Sequence, residues 1–586
     1  MSPLRMAQGR LRISFFLVLV IFLSFFVRLV FVQAVNAEDR ARQAARELNQ
    51  TVDLPAPRGE ITDRNGNVLA RSIDALDLVV DQNLIGDPKV TAKLVAPIIN
   101  ASTSAIQNRL TGTRKFVYVA KDITPAQWLK IKEVIALNNS GKPMSERIGG
   151  FFTERGFKRD YPGKTLSANT LGFVNSEGVG GGGIEASMNS LLSGTDGVLS
   201  YSSGKGPSIP SARQSLIPAK AGTNIRLTID RDLQWITENA IASVAKKTRA
   251  QSITAVLMDP TTGEILALAN WPSYNPNSRK SLTGEQLRNR VLTDTFEPGS
   301  TIKPFPVALV MEQGKVQPDT NMTIGQKLLI GPKPITDTHP HGMLTVSQVI
   351  QKSSNIGTAK LALQLEPREM WDLFAAVGFG QAPNIGFPGA VAGRLHPHQK
   401  WGQSDQARMS FGYGISTSLF QLARAYTIFA RDGELVPTTI LRNPEYKPGT
   451  RVMSAKTAIE MRNMLETVTE QGGTAIRARA DGFRVGGKTG TAHKVESKGY
   501  VANKYRAFFV GLAPISAPRI VVAVMVDEPS AGGHYGGEVA APVFSTIVSE
   551  TLRSLNISPD ITDRTLVQNF EPIPTGVQAQ KVVLKQ

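Results

Sequence analysis

The chain contains no cysteine in its 586 residues, which excludes a disulfide framework, a cysteine nucleophile, an iron–sulfur cluster and a thiolate zinc site. Histidine is scarce too, at six. His339-Pro340-His341 and His396-Pro397-His398 hold four of these around prolines, which suits exposed turns; no carboxylate completes a ligand set, so no metal and no other cofactor is expected. Acidic residues number 48 against 66 basic ones, giving a formal net charge of +18 that reads as a solvated surface facing anionic lipid. Glycine (52) and proline (35) lie near average usage, so collagen-like and low-complexity readings fall away. With 41% hydrophobic and 19% charged residues the chain is globular, and at roughly 150 residues per domain it holds two to four modules.

One long apolar run is present. Ile13–Val35 is 23 residues, enough to cross a hydrocarbon core of about 30 Å as a helix. Arg5, Arg10 and Arg12 precede it and a mixed set of charges follows, which leaves residues 1–12 in the cytoplasm and exports the rest. Val35-Asn36-Ala37 resembles a signal-peptidase site, but the run exceeds an ordinary signal core, so an uncleaved single-pass anchor is expected. Export argues against a nucleic-acid partner. Arg28 sits towards the outer end, where its side chain can snorkel to the interface or meet another membrane helix.

After the anchor, Glu38–Gln50 predicts a helix and Asn65-Gly66 a hairpin. The Gly178–Gly183 cluster is no phosphate loop, because no Gly-Lys-Ser/Thr follows it. Residues 36–222 read as a non-catalytic α+β module closing in a linker over Ser200–Gly222. A second domain follows over 223–558, and 559–586 form a tail. Predicted strands at Ile225–Ile229, Ile253–Met258, Glu264–Ala269, Phe508–Leu512 and Ile520–Val526 bracket helical stretches at Leu344–Leu365, Leu419–Ala430 and Ser454–Thr469. That order predicts one antiparallel sheet assembled from both ends of the domain, with helices against it.

Three short motifs carry chemistry. Ser300-Thr301-Ile302-Lys303 puts a hydroxyl and an amine on one helical face after Pro298-Gly299, where a buried lysine of lowered pKa can activate the serine. Ser202–Lys205 and Ser243–Lys246 share the pattern without that setting. Ser353-Ser354-Asn355 offers a second hydroxyl and an amide, although such triplets also serve as helix caps. Lys488-Thr489-Gly490-Thr491 reads as a strand of small residues against which a peptide can pair, with an amine and hydroxyls for a carboxylate.

Together, in this order and 53 then 135 residues apart, the three motifs resemble the penicillin-recognising serine enzymes. Arg58–Gly66, Arg159–Pro162, Leu171-Gly172-Phe173 and Gly183-Ile184-Glu185 resemble the non-catalytic signatures of class B penicillin-binding proteins. The stretch Thr293–Ser300, with Ser410–Gly414 and Tyr535-Gly536-Gly537, is similar to septal cell-division transpeptidases. The resemblance implies an α+β chain with a transmembrane helix, an elongated pedestal, and a transpeptidase domain whose antiparallel sheet is flanked by helices beside an all-helical subdomain.

It further implies a D,D-transpeptidase of septal peptidoglycan. Ser300 would be the nucleophile, Lys303 the general base, Ser353 a proton relay tuned by Lys488, and Asn355 an orienting amide for peptide and Lys303. Thr489, Gly490, Thr491 and Tyr535 would bind substrate, with the N–H groups of Ser300 and Thr491 as oxyanion hole. Stem peptides, glycan from lipid-linked precursor, β-lactams, a multi-span septal glycosyltransferase and other division-machinery membrane proteins would be its partners, at the inner membrane of the septum. His534 departs from the pattern, standing where the family often pairs two aromatics. Two other readings stay open: a D,D-carboxypeptidase or β-lactamase-like hydrolase, and a non-catalytic division scaffold or β-lactam sensor.

Overall fold

The computed structural model describes residues 3–31, 49–202, 215–278, 283–331, 333–442, 448–496 and 499–561. Pro3–Val30 is a continuous helix whose Leu11–Val30 stretch has a mean hydropathy of 2.7. Its large apolar side chains are exposed all round, the pattern of a helix whose solvent is lipid. Residues 32–35 of the expected span lie outside the described set.

The rest forms two compact units that interleave along the chain: Ser72–Lys158 and Ser193–Thr223 belong to the first, Glu60–Arg71, Arg159–Leu192 and everything from Asn224 to the second. In the first, the strand ending at Val80 pairs antiparallel with Val117–Ile123, and Pro88–Val95, Thr103–Leu110 and Pro125–Asn139 are its helices. Each helix starts at a side-chain cap, from Asp87, Ser102 and Thr124, the last in a reciprocal capping box with Gln127. Leu78, Val80, Ile106, Leu110, Val119 and Ile131 share a small core.

Two expectations for this unit change. Most of the predicted helix Glu38–Gln50 lies outside the described residues, and its final Asn49-Gln50 opens the strand Asn49–Leu54. The predicted linker is partly sheet: Ser215–Ile217 pairs with Val198–Ser200, which in turn pairs with Asn49–Leu54, while 203–214 lie outside the described set. Ladder bonds satisfy backbone groups that composition had marked as loop.

The second unit carries the expected antiparallel sheet. Its order is Ile265–Trp271, Ser252–Met258, Ile520–Asp527, Gly499–Ala513 and Gly486–Glu496, so the first two strands and the last three come from opposite ends of the domain. Ile520–Asp527 is buried along its whole length, which explains its unbroken apolar sequence. Arg231–Thr248, capped by Asp230, packs with Ala541–Ser554 on the sheet, and Leu419–Ala430 packs on the central strands. Pro304–Glu312, Val346–Lys352, Asn355–Ala362, Pro367–Ala376, Gln403–Met409 and Ala455–Thr467 make the helical part.

The non-catalytic signatures fold together here. Buried Arg159 pairs with Glu185 at 2.7 Å, and the Tyr161 hydroxyl donates to the same carboxylate. Asp63 closes the Asn65-Gly66 turn by accepting from the N–H groups of Asn65 and Asn67. The predicted strand Ile225–Ile229 shortens to Ile225–Arg226, because Thr228 N–H turns to the Ile440 carbonyl.

Candidate active site

Leu344–Leu365 does not form the single helical stretch its composition suggests, and the break is what makes the site. Val346–Lys352 ends at Ser353, whose φ of +60° stops the helix, and Ser354 then caps Asn355–Ala362 by accepting from Gly357 N–H. Asp337 fastens the break, accepting from Ser354 Oγ and Asn355 N–H, both at 2.5 Å, and from Ile356 N–H. Ser353 is thereby presented at a helix junction.

Ser300 lies in a tight 3₁₀ turn, Gly299–Ile302, from which Pro304 starts a buried helix. Thr301 Oγ1 donates to the Pro298 carbonyl, and the buried Tyr426 hydroxyl donates to the Thr301 carbonyl at 2.6 Å. Gly412 crosses this turn so closely that a Cβ would stand 2.2 Å from the Gly299 carbonyl oxygen. Ser300 itself is half-buried, and its Oγ has no hydrogen-bond partner among the described residues.

The direct Ser300–Lys303 contact expected from their spacing is not formed. Lys303 Nζ donates instead to the Ser353 carbonyl at 2.5 Å and Ser353 Oγ at 3.1 Å, because the short turn sends the lysine into the core while the serine faces the cleft. Lys488 Nζ reaches the same Ser353 Oγ at 2.9 Å. One hydroxyl oxygen thus accepts from two buried amines and keeps its own proton to donate towards the cleft. Burial, followed by the neighbouring Lys488 charge, holds Lys303 well below the ordinary lysine range, with Asp337 opposing. Burial brings Lys488 down to about 7.

Gly486–Glu496 is the terminal strand of the sheet, so one side of its backbone is free of sheet partners. Gly490 lets it lie on the Ser300 turn: a Cβ there would be 3.0 Å from the Pro298 carbonyl oxygen. Thr489 Oγ1 pairs with Thr474 Oγ1 at 2.9 Å, and Thr491 Oγ1 accepts from Gly536 N–H. Half-exposed Tyr535 lies 4.3 Å from His534, which stacks on Tyr505 at 4.2 Å between ring centroids. The imidazole completes the aromatic wall where the sequence departs from the family pattern.

A cleft of about 1070 Å³ gathers Ser300, Ser353, Asn355, Thr489, Gly490, Thr491 and Tyr535. Lys303 and Lys488 lie beneath it, fully buried, and connect to it through Ser353. Asn355 lines the cleft, but its amide nitrogen donates to the Thr336 carbonyl, and no hydrogen bond joins it to Lys303 among the described residues. Asp337, Thr474 and Arg477 were not foreseen; the first two reach the site from loops and Arg477 from the single 3₁₀ turn Ile476–Ala478, none of which periodicity marks. Among the described residues no cluster of three or more His, Asp or Glu is placed to hold a metal ion.

Residues 253–549 match the family model of the penicillin-binding protein transpeptidase domain, and residues 53–227 match that of the penicillin-binding protein dimerisation domain. The chain is 38% identical over 567 residues to a probable peptidoglycan D,D-transpeptidase, PbpC, of Pseudomonas aeruginosa, covering 95% of this chain and 97% of that one. Against the peptidoglycan D,D-transpeptidase FtsI of Escherichia coli K12 the identity is 32%, covering 91% and 90%. The crystal structure of penicillin-binding protein 3 from Mycobacterium tuberculosis, complexed with aztreonam, superposes with a TM-score of 0.67 at 27% identity, covering 87% of this chain and 98% of that one.

Proposed function

The chain belongs to the penicillin-binding proteins, with both their dimerisation and transpeptidase domains, and on that premise we propose that it is a peptidoglycan D,D-transpeptidase cross-linking stem peptides at the division septum. The observation that carries the reading is Ser353 Oγ held between two buried amines in the cleft that Ser300 lines.

Ser300 Oγ attacks the penultimate D-Ala carbonyl of a donor stem peptide and expels the terminal D-Ala. Lys303, its amine held well below the ordinary lysine range by burial, takes the serine proton, a contribution of roughly 10²–10⁴ in rate. The direct transfer requires its Nζ to swing from Ser353 to Ser300 when substrate binds. Ser353, poised by Lys303 and Lys488, gives a proton to the leaving amine. Thr489 and Thr491 hold the donor carboxylate while the peptide backbone pairs with the edge strand beside Gly490, and Tyr535 covers it. The N–H groups of Ser300 and Thr491 stabilise the oxyanion, and Asn355 orients the peptide. An amine of a second stem peptide then takes the acyl group; β-lactams acylate the same Ser300.

Under this reading residues 1–12 are cytoplasmic, 13–35 span the inner membrane, 36–222 form a pedestal, 223–558 carry catalysis in the periplasm, and 559–586 form a tail. Glycan polymerisation from lipid-linked precursor falls to a multi-span septal glycosyltransferase among the division-machinery partners.

The test is acylation of the full-length chain in detergent by a fluorescent penicillin, with peptide mapping and a Ser300→Ala control, followed by product analysis on pentapeptide glycan. A stable adduct on Ser300 and cross-linked dimers are expected. Trimmed monomers alone would favour the hydrolase, and absence of any adduct on folded protein the scaffold.

A further inference from the structure

Arg462, on the helix Ala455–Thr467, is a buried arginine for which the catalytic reading has no use. Its side chain is only 9% exposed, yet Nη1 alone has partners, the Phe429 carbonyl at 3.2 Å and Asp432 Oδ1 at 2.9 Å; Nε and Nη2 take none among the described residues. The surface it keeps opens on a cavity of about 560 Å³ that shares no residue with the cleft around Ser300. Arg431 and Arg451 line the same cavity and divide one carboxylate between them, Arg431 Nε lying 3.3 Å from Glu434 Oε2 and Arg451 Nη2 2.8 Å from Glu434 Oε1. The fourth arginine of the lining, Arg519, is exposed, and its guanidinium has neither a hydrogen bond nor an ion pair among the described residues. It stands in the turn between Gly499–Ala513 and Ile520–Asp527, which is held in place where Arg519 N–H donates to the Ala513 carbonyl and Ser516 Oγ donates to Asp560.

Four guanidiniums thus face two carboxylates, Asp432 and Glu434, and the lining keeps a surplus of positive charge and of unused N–H donors. A carboxylate ligand would bring one negative charge and two oxygens. A phosphate monoester, or free phosphate, brings about two charges and three oxygens at neutral pH, which is the complement of two guanidinium forks entering from different elements. We propose that this cavity is a binding site for a dianionic phosphate group, with Arg462 as its floor and Arg519 at its rim. Arg462 is oriented before any ligand arrives, since Phe429 and Asp432 hold one end of its fork, so binding there costs little side-chain ordering. Asp432 works against the ligand, because it neutralises Arg462 and offers oxygen where the phosphate needs donors.

The experiment is a phosphorus NMR titration of the full-length chain in a phosphorus-free detergent, with ionic strength held constant by chloride and folding of each variant checked by circular dichroism. Inorganic phosphate and a short-chain phosphatidic acid are the two probes, which separates a free solute from a lipid headgroup as the source of the phosphate. Saturable line broadening of at least one probe is expected. Arg519→Gln, at an exposed position that the fold does not lean on, weakens that binding about tenfold. Asp432→Asn tightens it severalfold, because the competing carboxylate becomes neutral while asparagine tolerates the φ of +47° there. Arg368→Gln, which removes an exposed arginine paired with Asp372 outside the cavity, leaves it unchanged. Saturable binding of neither probe overturns the site. So does binding that survives Arg519→Gln intact, or that Arg368→Gln weakens as much as Arg519→Gln does.

Discussion

The two compact units use apolar burial differently. The first has a small core around Leu78, Ile106 and Ile131, and it leaves Phe116, Leu129, Leu137 and Met144 largely in solvent. The second has a core running through a five-stranded sheet and its helices, deep enough to enclose two lysines completely. A thin core stabilises a shape; a thick one also changes chemistry, because desolvation disfavours the charged form of an enclosed lysine amine. The difference explains why the candidate chemistry sits in one unit, and it can be attacked from either side.

The largest effect is expected in the second unit. Ser300→Ala abolishes penicillin acylation, a loss beyond about 10³-fold; persistent labelling elsewhere would move the nucleophile. Lys303→Gln lowers the acylation rate by roughly 10²–10⁴. In the native chain that rate climbs with pH along a limb well below the usual lysine range, since the amine is the base only when neutral. A limb near 10.5, read from stopped-flow labelling, would mean an open, solvated amine.

Lys488 gives the comparison a thermodynamic edge. Its folded value of about 7 lies below an unfolded value near 10.4, so between the two the unfolded chain binds more protons and stability rises with pH. The cost of burial is full below about pH 7. Lys488→Met is therefore expected to be the more stable protein at pH 6, by on the order of 4 kcal/mol, with the gap closing towards pH 10 in chemical denaturation. In the first unit, Ile131→Ala leaves a cavity costing about 2–5 kcal/mol, visible as earlier unfolding of that unit while Ser300 labelling persists in the rest. Thr124→Ala removes one capping box there and costs about 1 kcal/mol by thermal melting.

Much of this architecture is legible along the chain. The anchor follows from apolar length, and the helix at Leu419–Ala430 from its apolar pattern. The both-ends sheet follows from where β-branched runs cluster, since such runs fit a pleated, buried surface. Less legible were Ser215–Ile217, whose three residues become a strand only because Val198–Ser200 lies beside them, and the break at Ser353, where local composition favoured a longer helix. Strand pairing and a left-handed helix stop depend on partners far along the chain, which periodicity does not record.

The sequence by itself determined the anchor, the order of strands and helices, and which side chains could do chemistry, because length, pattern and side-chain type are local properties. Tertiary structure alone decided that Lys303 meets Ser353 rather than Ser300, that Asp337 fastens the turn carrying Ser353, and that Arg462 and Arg519 line one cavity. Residues 18 to 135 positions apart meet there, and only the packed core sets those distances and strips the water that keeps a lysine charged.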